Sequence, residues 1–578
     1  MGGLNVVGVL AQFGAAYQLT PRSLTDLIAL PGPQIIGAPA ISALNDASFT
    51  VGWTTLLAGN STLYYGATPG LGDSLVDQTQ ATAHSFVVSG LQSGRIYYFR
   101  AFSSNASGTS ASSLTPVVTT SSGSTGEMDV YFNYPTDGTL GLSPPANGST
   151  ALVDKLLTRI SHATKSIDLA LYSFDDFSGD PAVVANRVAD SLLSAKSRGV
   201  AIRMVFDNKS TSTPLGKLIT GGISVIKRAV PGTDNGIMHN KFMIFDGHDT
   251  TSATDEWLIT GSWNVTNDGT VEDAQNAVFI QDQSLARIYE LEFEEMFGST
   301  TTTANSALAR FGPTKQDNTP HVTYVGGKEV EVYFSPSDQT TSHIINALST
   351  ANKSILFGIL SFTRTDIANV LIDKYTAGVS VHGLIDQQPS VLGTLQAAGV
   401  DALQAGHSVV TGLFHHKYAV VDGANDISDP LVITGSHNWS SAAENDNDEN
   451  TLIIHSGEIA RQYVQEFSKR YHESGGSGPV LSVSRTSAEI PTTTSISQNY
   501  PNPFNPSTNF ELRISKLGFV SLKVFDILGR EVARLVDEVK SPGSYSVVWD
   551  ASKLASGMYI CRMQAGNVHE TRKLLLLR

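Results

Sequence analysis

The central part of this 578-residue chain is written twice. DVYFNYPTD (residues 129–137) returns as EVYFSPSD (331–338), and HATKSIDLALYSF (162–174) returns as STANKSILFGILSF (349–362). VANRVADSLLSAKSRGVAIRMVFD (184–207) returns as DIANVLIDKYTAGVSVHGLID (366–386), while HNKFMIFDG and LITGSWN return as HHKYAVVDG and VITGSHN. A repeated unit of this length constrains the fold more than any composition does, because each copy must bury the same faces. Apolar runs of strand length alternate with amphipathic helical stretches, so each copy is expected to form a layered α/β sandwich. Two such units packed as twins would bring corresponding strand ends together.

On either side the character changes. The Gly/Ser/Thr-rich stretches TTSSGSTGE (119–127) and ESGGSGPVLSVSRTSAEIPTTTS (473–495) read as flexible connectors that bound three regions. Before the first lie short alternating strands, FTVGWTT, STLYYGA, HSFVVSGL and RIYYFRAFSSN, the pattern of a small all-β sandwich over residues 33–121. Trp53 on an early strand and Leu91 six residues before Tyr97 resemble the fibronectin type III domain, in which such a tyrosine closes a corner on backbone. After the second connector, SQNYPNPFNPST, LKVFDILGREVARLV and ASGMYICRM again read as strands joined by Gly/Pro turns, a second all-β sandwich over 496–578. These words resemble the C-terminal sorting domain of the type IX secretion system of Bacteroidetes-like bacteria. That resemblance implies secretion or cell-surface attachment, with the type IX machinery as a partner. The opening MGGLNVVGVLAQFGAAYQ is mildly apolar but lacks the basic start of a secretory signal. No run approaches 18 apolar residues, so no transmembrane helix is expected.

Each central copy carries His-x-Lys, then Asp, then Gly-Ser-x-Asn. The residues are His239, Lys241, Asp246, Ser262 and Asn264 in the first, and His415, Lys417, Asp422, Ser436 and Asn438 in the second. On a strand, side chains at i and i+2 share a face, so each histidine points with its lysine. Asp246 and Asp422 stand at odd offsets, which turns them to the opposite face and predicts a structural role at the Asp-Gly turn. By the same parity His416 points away. These residues resemble the paired HKD motifs of the phospholipase D superfamily, over about residues 128–475. The resemblance implies a fold of two pseudo-symmetric α/β sandwich repeats, 128–300 and 329–475, flanked by the two all-β sandwiches.

It also implies phosphodiester hydrolysis without cofactor or metal. His239 is expected to attack phosphorus and His415 to serve as acid, then base. Lys241, Lys417, Asn264 and Asn438 are expected to hold the phosphate, assisted by Ser262 and Ser436. Glu444, six residues after Asn438, is expected to orient a histidine. In the first copy that position is Thr270, so either Glu272 or Asp273 substitutes or the two histidines are oriented unequally. Asn276 and Asn450, each opening an apolar strand, are expected to support the site. The insertions DTTSATDEW and ANDISDP are expected at its rim.

Charge bears on the substrate. Residues 127–480 hold 23 Lys and Arg against 41 Asp and Glu, a balance of −18, which argues against a wide polyanion groove. The compact LYSF and ITGSWN repeats resemble the family's secreted nucleases, so nucleic acid is expected first and phospholipid second. A surface adhesin that has lost catalysis is the reading of another class, disfavoured by the intact motifs. The acidic run ELEFEEMF (290–297) is expected to be a solvated helix face. EDAQN and ENDNDEN could bind calcium, although neither fits an EF-hand. The single cysteine, Cys561, excludes an internal disulfide, and two half-sites in one chain point to a monomer.

Overall fold

The computed structural model describes the chain except residues 1–3, 7–8, 14–15, 21–26, 30–31, 176–182, 209–211, 229–235, 250, 388, 407–409, 425–427, 478–479, 481–492, 500, 517, 541–542, 553, 567 and 578. Each central copy builds one mixed sheet. In the first, the strands run in the order 128–132, 276–281, 257–261, 241–245, 166–171, 201–206, 224–227. The second repeats it as 328–335, 449–455, 431–435, 417–421, 354–361, 380–387, 401–404, with 322–325 added at the first edge. In both, the crossover strands are parallel and the motif strands antiparallel. All five residues of Lys241–Phe245 and of Lys417–Val421 are buried, as expected for central strands covered on both faces.

Helices lie against these sheets. Leu152–His162 and Val184–Ser197 turn Leu156, Ile160, Val188 and Leu192 onto Leu169, Met204 and Phe245, and the second repeat matches them with Ile344, Leu348 and Leu371 on Phe357 and Val421. Helix Gln283–Phe297 corrects an expectation, since its ELEFEEMF run is not a solvated face. Glu290 and Glu292 are buried; Glu290 meets Arg203 and His248, and Glu292 meets the buried Lys315. Helical spacing could not show this because the cations arrive from distant strands and loops.

Upstream, strands Ile35–Ser42, Ser48–Gly66, Asp73–Ser89, Ile96–Asn105, Gly108–Ala111 and Thr115–Val118 enclose Phe49, Val51, Trp53, Leu63 and Phe99. The Tyr97 hydroxyl accepts the Gln92 N–H at 2.9 Å, and Trp53 Nε1 donates to Ser103 Oγ. The 119–127 stretch is not a loose connector. Ser124 Oγ donates to the Ala253 carbonyl and accepts the Gln283 N–H, and the Thr125 N–H reaches Gln281 Oε1; a hydroxyl that both donates and accepts pairs two backbone groups at once.

Residues 481–578 form a separate compact unit. Strands Ser495–Ile496, Ser507–Ile514 and Gly543–Asp550 make one sheet, and Gly518–Asp526, Glu531–Lys540, Gly557–Ala565 and Val568–Leu576 another, around Phe510, Leu522, Val524, Trp549, Met563 and the buried Cys561. Among the described residues no helix is long and apolar enough to cross a membrane.

Candidate active site

The two motif strands begin where the repeats meet. The His239 N–H donates to the Asp448 carbonyl of the second repeat at 2.9 Å, and the His415 N–H to the Ala274 carbonyl of the first at 3.0 Å. Side chains add to this seam. Thr260 Oγ1 donates to Asn450 Oδ1 at 2.7 Å, and Asn450 Nδ2 donates to Asn240 Oδ1. Asn276 Oδ1 accepts from Thr434 Oγ1 and the Tyr463 hydroxyl, while its Nδ2 meets His416 Nδ1. Asn276 and Asn450 thus join the two repeats. His416 is occupied there and by Glu466, away from His415.

His239, Lys241, His415 and Lys417 are all buried. Each lysine Nζ folds back onto the carbonyl of its own histidine, at 2.9 Å for Lys241 and 2.8 Å for Lys417. Their charges act on one another across the repeats, which places the four in one small space. Burial pushes Lys241 down to about 7, against the pull of Glu449 and Asp207. Lys417 is lowered well below the ordinary lysine range by burial and then by Lys241. Each buried Nζ carries three N–H donors, of which the histidine carbonyl takes one, an arrangement that suits an anion. Asn264 and Asn438 are half-buried, and the side-chain oxygen of each lacks a hydrogen-bond partner.

The histidines differ in what holds them. His239 Nδ1 lies 2.7 Å from Glu449 Oε2. His415 Nδ1 lies 3.0 Å from Gln275 Oε1 and 3.2 Å from the Ser262 carbonyl. Burial lowers His239 to about 4 although Glu449 pulls the other way, and Glu449 stays ionised at about 2 because His239 and Lys241 outweigh its own desolvation. Near neutrality a neutral imidazole therefore donates Nδ1–H to a carboxylate and keeps a lone pair on Nε2. His415 is lowered by burial, then by Lys417, Lys241 and His239.

Several expectations are corrected here. Glu444 does not orient either motif histidine: its carboxylate accepts the Thr341 N–H at 2.8 Å and the Thr341 hydroxyl at 2.6 Å, and lies 3.6 Å from His437. Neither Glu272 nor Asp273 takes that part, because Glu272 is exposed, Asp273 Oδ1 accepts the Leu413 N–H, and His415 Nδ1 meets Gln275 and the Ser262 carbonyl. The histidines are oriented unequally. Ser262 and Ser436 do not face a phosphate, since both are fully buried and donate to Gln275 Oε1 at 2.8 Å and Glu449 Oε2 at 2.7 Å. The orienting residues Gln275 and Glu449 were missed. Both stand eleven positions after the motif asparagine and directly before Asn276 and Asn450, a shared spacing that could have found them. The glycine of Gly-Ser-x-Asn has a packing reason: at Gly435, φ +139°, a Cβ would lie 2.3 Å from the Asn450 carbonyl oxygen.

Asp246 and Asp422 sit at the other end of their strands with φ of 54° and 51°. Asp246 Oδ1 accepts the N–H groups of Thr164, Lys165 and Ser166 at 3.0, 2.6 and 3.0 Å, and Asp422 does the same for Asn352, Lys353 and Ser354. The described parts of the two insertions follow these turns, so they lie a strand's length, about 16 Å, from the histidines and not at the rim. A hairpin returns its second strand to the site but leaves its loop at the far end. The acidic runs do not converge on a common point either: Asp448 pairs with Arg228 at 2.9 Å while Glu449 holds His239.

Residues 156–297 and 344–471 match the family described as "Cardiolipin synthase, PLD-like domain". The phospholipase D of Rickettsia bellii is 30% identical over 160 residues, 27% of this chain and 75% of that protein. The chain belongs to the phospholipase D-like family. A second relative of this phospholipase D-like chain, the mitochondrial cardiolipin hydrolase of Xenopus tropicalis, is 32% identical over 142 residues, 24% of the chain; the match spans 63% of that protein's length. Among solved structures, the phospholipase D family member Nuc from Salmonella typhimurium is 25% identical, with a TM-score of 0.22 over 25% of this chain and 95% of that one. Residues 498–577 match the secretion system C-terminal sorting domain, which directs the chain to the cell exterior or surface.

Proposed function

We propose that the chain hydrolyses phosphodiesters through a covalent phosphohistidine on His239, with nucleic acid as its first substrate class. The reading rests on the paired histidines, each with Nδ1 held from the opposite repeat, beside two buried lysines. His239 Nε2 attacks phosphorus as the P–O bond to the leaving group breaks, and His415 gives its Nε2 proton to the departing oxygen. His415 then takes a proton from water, whose oxygen attacks phosphorus and releases His239. Lys241, Lys417, Asn264 and Asn438 hold the anionic oxygens. Burial, and then the charges of the two lysines, hold His415 well below the ordinary imidazole range. An arriving phosphate offsets their charge, so the acid gains its proton as substrate binds.

The compact LYSF and ITGSWN repeats support nucleic acid. Phospholipid is the second reading, supported by the −18 balance of residues 127–480 and by the names phospholipase D and cardiolipin hydrolase carried by the relatives. With this goes a division into a fibronectin type III-like sandwich (33–121), two catalytic repeats (128–300 and 329–475) and a sorting sandwich (496–578), acting as a monomer. The test is to incubate the purified protein with EDTA on plasmid DNA, RNA and phosphatidylcholine vesicles beside His239→Ala and His415→Ala. Turnover that survives EDTA and disappears in both variants is expected. Loss with EDTA would contradict the metal-free step, survival in both variants would contradict the site, and no turnover at all would favour the adhesin.

A further inference from the structure

The two half-sites are not equivalent toward a substrate. Tyr172 is half-buried and its ring meets that of His239 at 4.8 Å between centroids, with the planes inclined at 61°. Lys241 Nζ lies 5.0 Å from the same ring centre, and the Tyr172 N–H is tied to the Asn240 carbonyl at 3.0 Å. Its counterpart in the second repeat is Leu360, which is buried, and among the described residues no aromatic ring is recorded against His415. One side of the phosphate position therefore carries a held aromatic ring and the other does not.

We infer that Tyr172 is a specificity residue that stacks on a nucleobase of a single-stranded nucleic acid and so sets which side of the scissile phosphate lies toward His239. This rests on the nuclease reading above and deepens it. A core with a balance of −18 cannot draw much affinity from releasing counterions along a duplex. Stacking of a base on an aromatic side chain supplies affinity that needs no basic groove and tolerates any sequence. The ring is held against the His239 ring and Lys241 before any ligand arrives, so little ordering remains on binding. A phospholipid head group offers no planar base to stack on the ring.

The experiment compares two esters with the same leaving group, thymidine 5′-(4-nitrophenyl phosphate) and methyl 4-nitrophenyl phosphate, on the full chain and on Tyr172→Ala, Tyr172→Leu and Tyr172→Phe. The wild type is expected to prefer the thymidine ester. Tyr172→Ala and Tyr172→Leu should lose about 10- to 100-fold more kcat/KM on the thymidine ester than on the methyl ester, mostly through KM, and Tyr172→Phe should restore the preference. Equal losses on both esters would make Tyr172 a support for His239 alone and overturn the inference, as would a wild type without preference. Wild-type protein that turns over neither ester would overturn the phosphodiesterase reading beneath it.

Discussion

Glu449 and Gln275 occupy the same place in the two repeats, and one carries a charge. A carboxylate against Nδ1 stabilises the positive charge that His239 develops once it is bonded to phosphorus, which an amide does less well. Glu449→Gln is expected to lower kcat on the order of 100-fold or more. Gln275→Ala should cost less, because His415 keeps the Ser262 carbonyl as an acceptor. The pH profile follows from the same residues. His239 must be neutral to attack and titrates at about 4, and Lys241 must be charged to hold the anion and titrates at about 7. kcat/KM should rise as pH increases through the first value and fall on the alkaline side as the charge on Lys241 and the proton that His415 must gain are lost, giving a bell with an acidic maximum. Glu449 raises both groups, so Glu449→Gln should move both limbs to lower pH. The motif histidines and lysines were legible from the sequence because period-two parity and duplication reinforce each other. Glu449 was not, because its partner lies 210 residues away and only folding brings them together.

At the scale of elements, parity placed Asp246 on the face opposite His239, and the structure gives that position its work: one carboxylate closes three backbone N–H groups. Asp246→Ala would leave them unpaired with a non-glycine residue at positive φ, at a cost of about 3 kcal/mol, measurable by urea unfolding. Periodicity served less well for helix Gln283–Phe297. Its acidic face reads as solvated, yet Glu292 and Lys315 are both buried and paired, because a helix between two layers has no outer side and periodicity alone does not count layers. Lys315→Met should destabilise by about 3 to 5 kcal/mol, and Glu292→Gln in the same chain should recover part of it. The insertions after Asp246 and Asp422 were misplaced for a related reason, since their lengths are legible from the sequence but the end of the hairpin they occupy follows from strand direction.

For the whole molecule, the repeats carry the chemistry and residues 481–578 form their own unit, matched by a secretion sorting domain. Ending the chain after Val480 should leave the activity of the purified protein within about twofold of the full chain, as expected of separate domains, while cell fractionation finds the shortened protein inside. The duplication made the overall plan readable, because two copies of one pattern must fold alike and share one site. The central claim is that His239 becomes bonded to phosphorus. It is tested most directly by mixing His415→Ala with thymidine 5′-(4-nitrophenyl phosphate), whose leaving group needs no acid, quenching, and mapping the adduct by mass spectrometry. One equivalent of nitrophenol and a thymidylyl group on the peptide containing His239 are expected. An adduct on another residue, or steady turnover with no adduct, would contradict it.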